Sequence, residues 1–162
     1  NKKKLSKKKV KEINLLIIPG GNDVSNILNT SKIRNNIEKN LIKICFKKKI
    51  PILGICRGAQ LLNKSFGGKI KKIKKHMRTR HNIFFTNREI IKKKILNVNS
   101  FHNDGIKKND LSKSFKVLAS DKNKNIEMFI SNNKKIIGTM WHPEREKSTL
   151  LLDSLIKYMK KI

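Results

Sequence analysis

The segment Pro51–Asn63, PILGICRGAQLLN, constrains the fold of this chain more than any other. Ile52–Ile55 is too short for a helix and has no polar position, the pattern of a strand buried on both faces of a parallel sheet. Ala59–Phe66 then suits a short helix that Gly67-Gly68 ends. Cys56 therefore falls at a strand-to-helix turn. An α/β sheet presents side chains to a ligand at such turns, and a helix N-terminus there lowers a thiol pKa.

The rest of the chain repeats the alternation. Ile13–Ile18 reads as a first strand, closed by the tight loop Pro19-Gly20-Gly21-Asn22-Asp23. Ser31–Lys48 reads as an amphipathic helix with Ile33, Ile37, Leu41, Ile44 and Cys45 on its apolar stripe. Cys45 belongs to that stripe as a small core hydrophobe. After a basic connector, Lys69–His76, the pattern changes to short strands at Asn82–Thr86, Ile95–Asn99, Lys116–Ser120, Ile126–Ile130 and Ile136–Met140. From Ser148 a closing helix places Leu150, Leu151, Leu155, Ile156 and Met159 inward. The expected fold is one three-layer α/β domain over residues 1–162, with a mainly parallel central sheet flanked by helices. The basic segment over residues 1–12 is expected to be disordered.

A net charge of +29 suggests a nucleic-acid binder at first sight. Its make-up argues otherwise: only 6 of the 40 basic residues are Arg, and Ile and Asn are heavily used beside Lys. A/T-rich codons specify these three residues, so base bias alone gives this composition. The lysines also spread over the whole chain, as on a solvated surface, and no specific nucleic-acid partner is expected. The charge would still draw anionic ligands at low salt. No apolar run reaches the length of a membrane span, and two cysteines make no disulfide framework. A reduced, cytoplasmic setting without membrane contact is the simplest account.

A cysteine nucleophile needs a base and a group that orients the base. Of the four histidines, His142 ends a predicted buried strand and is followed by Pro143 and Glu144. Across a proline-stiffened turn, Glu144 can hydrogen-bond the His142 imidazole, fix its tautomer and stabilise the imidazolium. Cys56, His142 and Glu144 thus form an available catalytic set. No Cys, His and acidic residues stand at metal-ligand spacing, so no metal is expected, and no other cofactor.

The motifs IIPGGND, GICRGAQLLN, VNSFHNDGI and MWHPERE occur in this order from Ile17 to Glu146. Together they resemble the class I glutamine amidotransferase-like family, in its γ-glutamyl hydrolase branch, with a flavodoxin-like fold. The resemblance implies a hydrolase that attacks the γ-carbonyl of a small-molecule γ-glutamyl amide with Cys56, forms a thioester and releases glutamate. His142 would be the base and Glu144 its orienter. Backbone N–H groups of Arg57 and of the Gly20-Gly21 turn would form the oxyanion hole. Gln60 and the stretch Asn99, Ser100 and Phe101 would hold the amino-acid end, with His102 bordering the pocket. The segment Arg78-Thr79-Arg80-His81 would be a variable loop over the leaving group, and Arg78 and Arg80 would contact an anionic one. Within this branch the implied substrates are γ-glutamyl-γ-aminobutyrate or γ-glutamyl-CDP-amidate.

The family normally has a strand and helix ahead of the Gly-Gly loop, whereas only a lysine-rich segment precedes Ile13 here. One β-α unit is expected to be missing, whether from a fragment or from a reduced protein, with an open sheet edge as the consequence. A homodimer is a further expectation. Two other functions stay open: a glutaminase subunit that delivers ammonia to a partner synthetase, and a basic binding protein on a decayed enzyme scaffold.

Overall fold

Parallel strands need crossover connections, usually helices, whereas antiparallel neighbours need only tight turns. This chain uses both, in two halves. The computed structural model describes residues 12–21 and 29–162, so the basic segment over residues 1–11 and the Asn22-Asp23 part of the glycine loop lie outside the described residues. In the first half, β1 (Leu16–Ile18) and β2 (Ile52–Ile55) are linked through α1 (Asn29–Lys47). α2 (Arg57–Ser65) follows β2 directly. β1 pairs with β2 and β2 with β9 (Ile136–Thr139), both parallel, so every residue of β2 is buried.

The second half is antiparallel: β4 (Met77–Phe85), β5 (Ile95–Phe101), β7 (Phe115–Asp121) and β8 (Asn125–Ser131). The order across the sheet is β1-β2-β9-β8-β7-β4-β5, and a short β3 (Lys71–Lys72) pairs with β6 (Asp104–Lys107), which pairs with β8. Short connections explain the switch. Only three residues separate β7 from β8, and Asp121 closes that turn by accepting the N–H groups of Asn123 and Asn125 at 2.9 and 2.8 Å on Oδ1. The sheet is therefore mixed: the expected parallel arrangement holds for the three strands around Cys56 and gives way elsewhere.

Helices cover both faces, as the three-layer reading requires. α1 and α2 pack Ile42, Cys45, Leu61 and Leu62 onto Ile18, Ile52, Phe129 and Met140. On the other face, α3 (Leu150–Lys161) packs Leu155 and Met159 with Leu53, Ile55, Ile83, Ile137 and Trp141. Cys45 is fully buried, as its place on the helix stripe predicted.

Three local expectations are corrected. Arg78–His81 is not a loop: Thr79, Arg80 and His81 pair in register with Ser100, Asn99 and Val98, so this stretch is the first half of β4, with a bulge before Thr79. The Ser31–Lys48 stripe turns out to be apolar inward only in its second half. Ile33 and Ile37 are 61% and 54% exposed, and Asn35 and Glu38 turn inward instead because they meet a buried guanidinium, that of Arg57. β6, inside VNSFHNDGI, was not expected as a strand.

Glycine brings the two elements around Cys56 together. A Cβ on Gly58 would collide with the carbonyl oxygen of Ile18, and one on Gly54 would press into Leu62 and the backbone of Gly58. α2 thus begins against β1 with no side chain between them. Gly58→Ala should cost about 1–3 kcal/mol of stability, as overpacking does, a loss that urea unfolding followed by circular dichroism would measure.

Candidate active site

Gly20, Cys56 and His142 follow β1, β2 and β9, so three neighbouring parallel strands deliver them to the same edge of the sheet, their carboxyl end. Cys56 has φ +50° and ψ −105°, a conformation rarely open to a residue with a Cβ. Two hydrogen bonds hold it there: its N–H donates to Thr139 O at 2.7 Å, and its carbonyl accepts Gln60 N–H at 3.1 Å, which starts α2. The strained elbow leaves the Arg57 N–H, at the start of α2, on the Cys56 thiol.

His142 donates from Nδ1 to Glu144 Oε1 at 2.6 Å, so Nε2 faces the other way. Its ring lies against the glycine loop, since a Cβ on Gly20 would collide with imidazole Cε1. Phe101 stands edge-on to it, with centroids 5.8 Å apart, and the Arg145 guanidinium stacks on Phe101 at 5.0 Å. Burial works most strongly against charge on Glu144, yet its hydrogen bond with His142, its own backbone N–H and the nearby His142 and Arg145 together outweigh burial and hold the carboxyl below its usual range. The predicted pairing of His142 with Glu144 is thus formed.

The expectation of a lowered thiol pKa is overturned. Burial pushes Cys56 up to about 12, the Arg57 N–H lowers it, and the Glu144 and Glu127 carboxylates raise it further while Arg145 opposes them. Desolvation outweighs the helix terminus. Burial at this sulfur thus favours the thiol over the thiolate.

Two supports escaped the sequence reading. The first is an ion network that ties both expected oxyanion donors to α1. Arg57 is 2% exposed; its guanidinium donates to Glu38 Oε2 at 2.6 Å and to Asn35 Oδ1. Glu38 Oε1 also binds Arg34 Nε at 2.8 Å, and Arg34 Nη2 donates to Gly20 O at 3.1 Å. Gly21, at φ +145°, lies under the Arg34 guanidinium. The second is Asn99, whose side chain grips the backbone of His142 from both sides. Asn99 Nδ2 donates to His142 O at 2.8 Å and Oδ1 accepts His142 N–H at 3.0 Å. Glu146 completes the clasp, accepting Asn99 N–H and Nδ2 at 2.9 and 2.7 Å. The symmetric G-x-C-x-G spacing could have signalled the elbow glycines; nothing in the sequence signals that Asn99 or Glu38 face these partners.

The expected substrate-holding residues divide. Gln60 is buried; Nε2 donates to Asp104 O at 3.0 Å, and Oε1 has no hydrogen-bond partner among the described residues. Ser100 is buried and donates to His76 O at 2.7 Å. His102 is buried too, its Nδ1 bonded to Asp104 O at 2.9 Å and its ring 5.1 Å from that of His76. Arg80 is engaged by Glu146 Oε2 at 3.0 Å and by Asn97, so it braces the clasp of Asn99. Arg78 is exposed at the bulge of β4.

The model of the Peptidase C26 family matches residues 1–144, and the chain belongs to that family. The chain is 41% identical over 138 residues to a gamma-glutamyl-CDP-amidate hydrolase of Campylobacter jejuni, an alignment covering 83% of this chain and 64% of that protein. It therefore spans just under two thirds of that relative's length. It is 29% identical over 160 residues to a glutamine-hydrolysing GMP synthase subunit of Methanococcus vannielii, covering 90% of this chain and 74% of that one. Among solved structures, a GMP synthase subunit from Thermoplasma acidophilum superposes with a TM-score of 0.77 at 23% identity, covering 94% of this chain and 74% of that chain. The fold is therefore that of the class I glutamine amidotransferases.

Two measurements probe the electrostatics. Alkylation of Cys56 by iodoacetamide, followed by peptide mass spectrometry, should still be accelerating at pH 10, where a free cysteine has already reached its plateau. Glu38→Ala strands the buried Arg57 guanidinium and should cost at least about 2 kcal/mol in urea unfolding.

Proposed function

We propose that this chain hydrolyses a γ-glutamyl amide through a thioester on Cys56. The observation that carries the reading is the His142–Glu144 bond at 2.6 Å beside an elbow cysteine, on neighbouring strand ends. Nε2 of His142 takes the Cys56 proton as sulfur attacks the γ-carbonyl. The resulting oxyanion is met by the N–H of Arg57 and by the Gly20-Gly21 turn, donors that face charge present only in the transition state. His142 then gives its proton to the leaving nitrogen, the C–N bond breaks, and the γ-glutamyl thioester remains. A water molecule deprotonated by His142 cleaves the thioester, releasing glutamate and restoring the thiol.

The unpartnered Oε1 of buried Gln60 supplies an acceptor for the α-ammonium group of the glutamyl substrate. For the leaving group we favour a cytidine diphosphate amidate, because of the 41% identity to a protein with that activity and the anion-attracting charge of +29. The relatives that are GMP synthase subunits favour the second reading, ammonia delivery to a synthetase.

Glutamate release from γ-glutamyl-CDP-amidate, γ-glutamyl-γ-aminobutyrate and glutamine by the isolated chain separates these readings. Turnover of the first, abolished in Cys56→Ala, is the expected result. Glu144→Gln should lower kcat by about 10²–10⁴, as loss of the orienting carboxylate does in serine hydrolases. Absence of release from all three by the folded chain would exclude a free-standing hydrolase.

A further inference from the structure

Behind the strand that carries Ser100 lies a group of side chains that the proposed hydrolysis does not use. His76, His81 and His102 meet with Glu127 and Asp121, although the sequence spacing had suggested no metal ligands. The rings of His76 and His81 are 4.5 Å apart, and those of His76 and His102 are 5.1 Å apart. Glu127 is fully buried on β8, and neither of its oxygens accepts a well-aligned hydrogen bond among the described residues. A buried carboxylate in that condition is costly unless a cation meets it.

The surrounding nitrogens are arranged as ligands. His76 Nε2 stands 3.4 Å and His81 Nε2 3.3 Å from Glu127 Oε1. A tetrahedral zinc ion, bound at about 2.0–2.1 Å, separates its ligand atoms by about 3.3 Å. One ligand atom from each of His76, His81 and Glu127 lies within 4.8 Å of the others. Nδ1 of His76 bonds to Lys74 O at 3.0 Å, which places the N–H on Nδ1 and leaves the Nε2 lone pair for a metal. Asp121 Oδ2 stands 3.2 Å from His76 Nε2 but is held by Asn125 Nδ2 at 2.8 Å and stays outside the ligand group. An opening of about 430 Å³, bordered by His76, His81 and Asp121, provides the way in.

We propose that His76, His81 and Glu127 form a binding site for a zinc-type divalent cation, with water from the adjoining opening in the fourth position, apart from the Cys56 centre. The ion cross-links β4 and the end of its preceding loop to β8. Its effect would reach the substrate side, because the His76 carbonyl accepts both Ser100 Oγ and His102 N–H. The inference stands independently of the proposed hydrolysis.

The test is zinc titration of the whole EDTA-stripped chain by calorimetry at pH 7.5, in the wild type and in Cys56→Ser, which removes the competing catalytic thiol. Cobalt replaces zinc for the visible spectrum. One equivalent should bind in Cys56→Ser, raise Tm by mass action and give the intense visible bands of tetrahedral cobalt. Glu127→Gln in that background, with its shape conserved, should weaken binding at least about 100-fold. His81→Asn, at a partly exposed position, should do the same if Glu127→Gln does not fold. Binding that disappears in Cys56→Ser, or that persists unchanged in folded Glu127→Gln or His81→Asn, would overturn the site. So would no stoichiometric binding at all, leaving a proton on His76 to meet the carboxylates.

Discussion

The close approach of Gly58 to the carbonyl of Ile18 governs the rest of this structure. It lets α2 start against β1, which puts the helix N-terminus, the glycine loop and the end of β9 on one small patch. Everything the site does follows from that proximity. Without it Cys56 would have no reason to sit in a left-handed elbow, and Gly20 would not lie against His142. The strain at Cys56 is held by elements already buried for other reasons: β2 is paired on both sides, and Thr139 O takes the Cys56 N–H.

Around that patch the protein fixes each reacting group through its backbone. The Arg34–Glu38–Arg57 network binds the glycine loop and the elbow to the same helix, so the two expected oxyanion donors share one anchor. Asn99 clasps both backbone polar groups of His142 while Glu146 clasps Asn99. His142 is thereby joined to β5, the strand whose last residues were expected to hold the substrate. Polar contacts of this kind, together with packing, hold geometry to fractions of an ångström.

Which parts were legible in the sequence follows from the range of the interactions. Cys56 and the His142–Glu144 pair are local statements: a strand-to-helix turn, and two residues across a proline. The parallel core was readable from its continuous apolar runs, as was buried Cys45. The antiparallel half was less so, because β4 begins in Met77-Arg78-Thr79-Arg80, whose polar, exposed positions look like a loop until β5 pairs with them. Asn35 and Glu38 lie off the apolar stripe that the sequence marks, and their partner, Arg57, is 19 and 22 residues away, so no local pattern reveals them. The histidine group was invisible for the same reason, since Glu127 enters it from a different strand. The thiol pKa was misjudged because a helix terminus can be read in a sequence and burial at a single atom cannot.

The resting state of Cys56 has a bearing beyond hydrolysis. Oxidants such as peroxide attack thiolates, and susceptibility follows thiolate character and access. A cysteine that is 4% exposed, with its thiol pushed up to about 12 by burial, offers little of either. The desolvated elbow therefore works against sulfenic acid formation at Cys56.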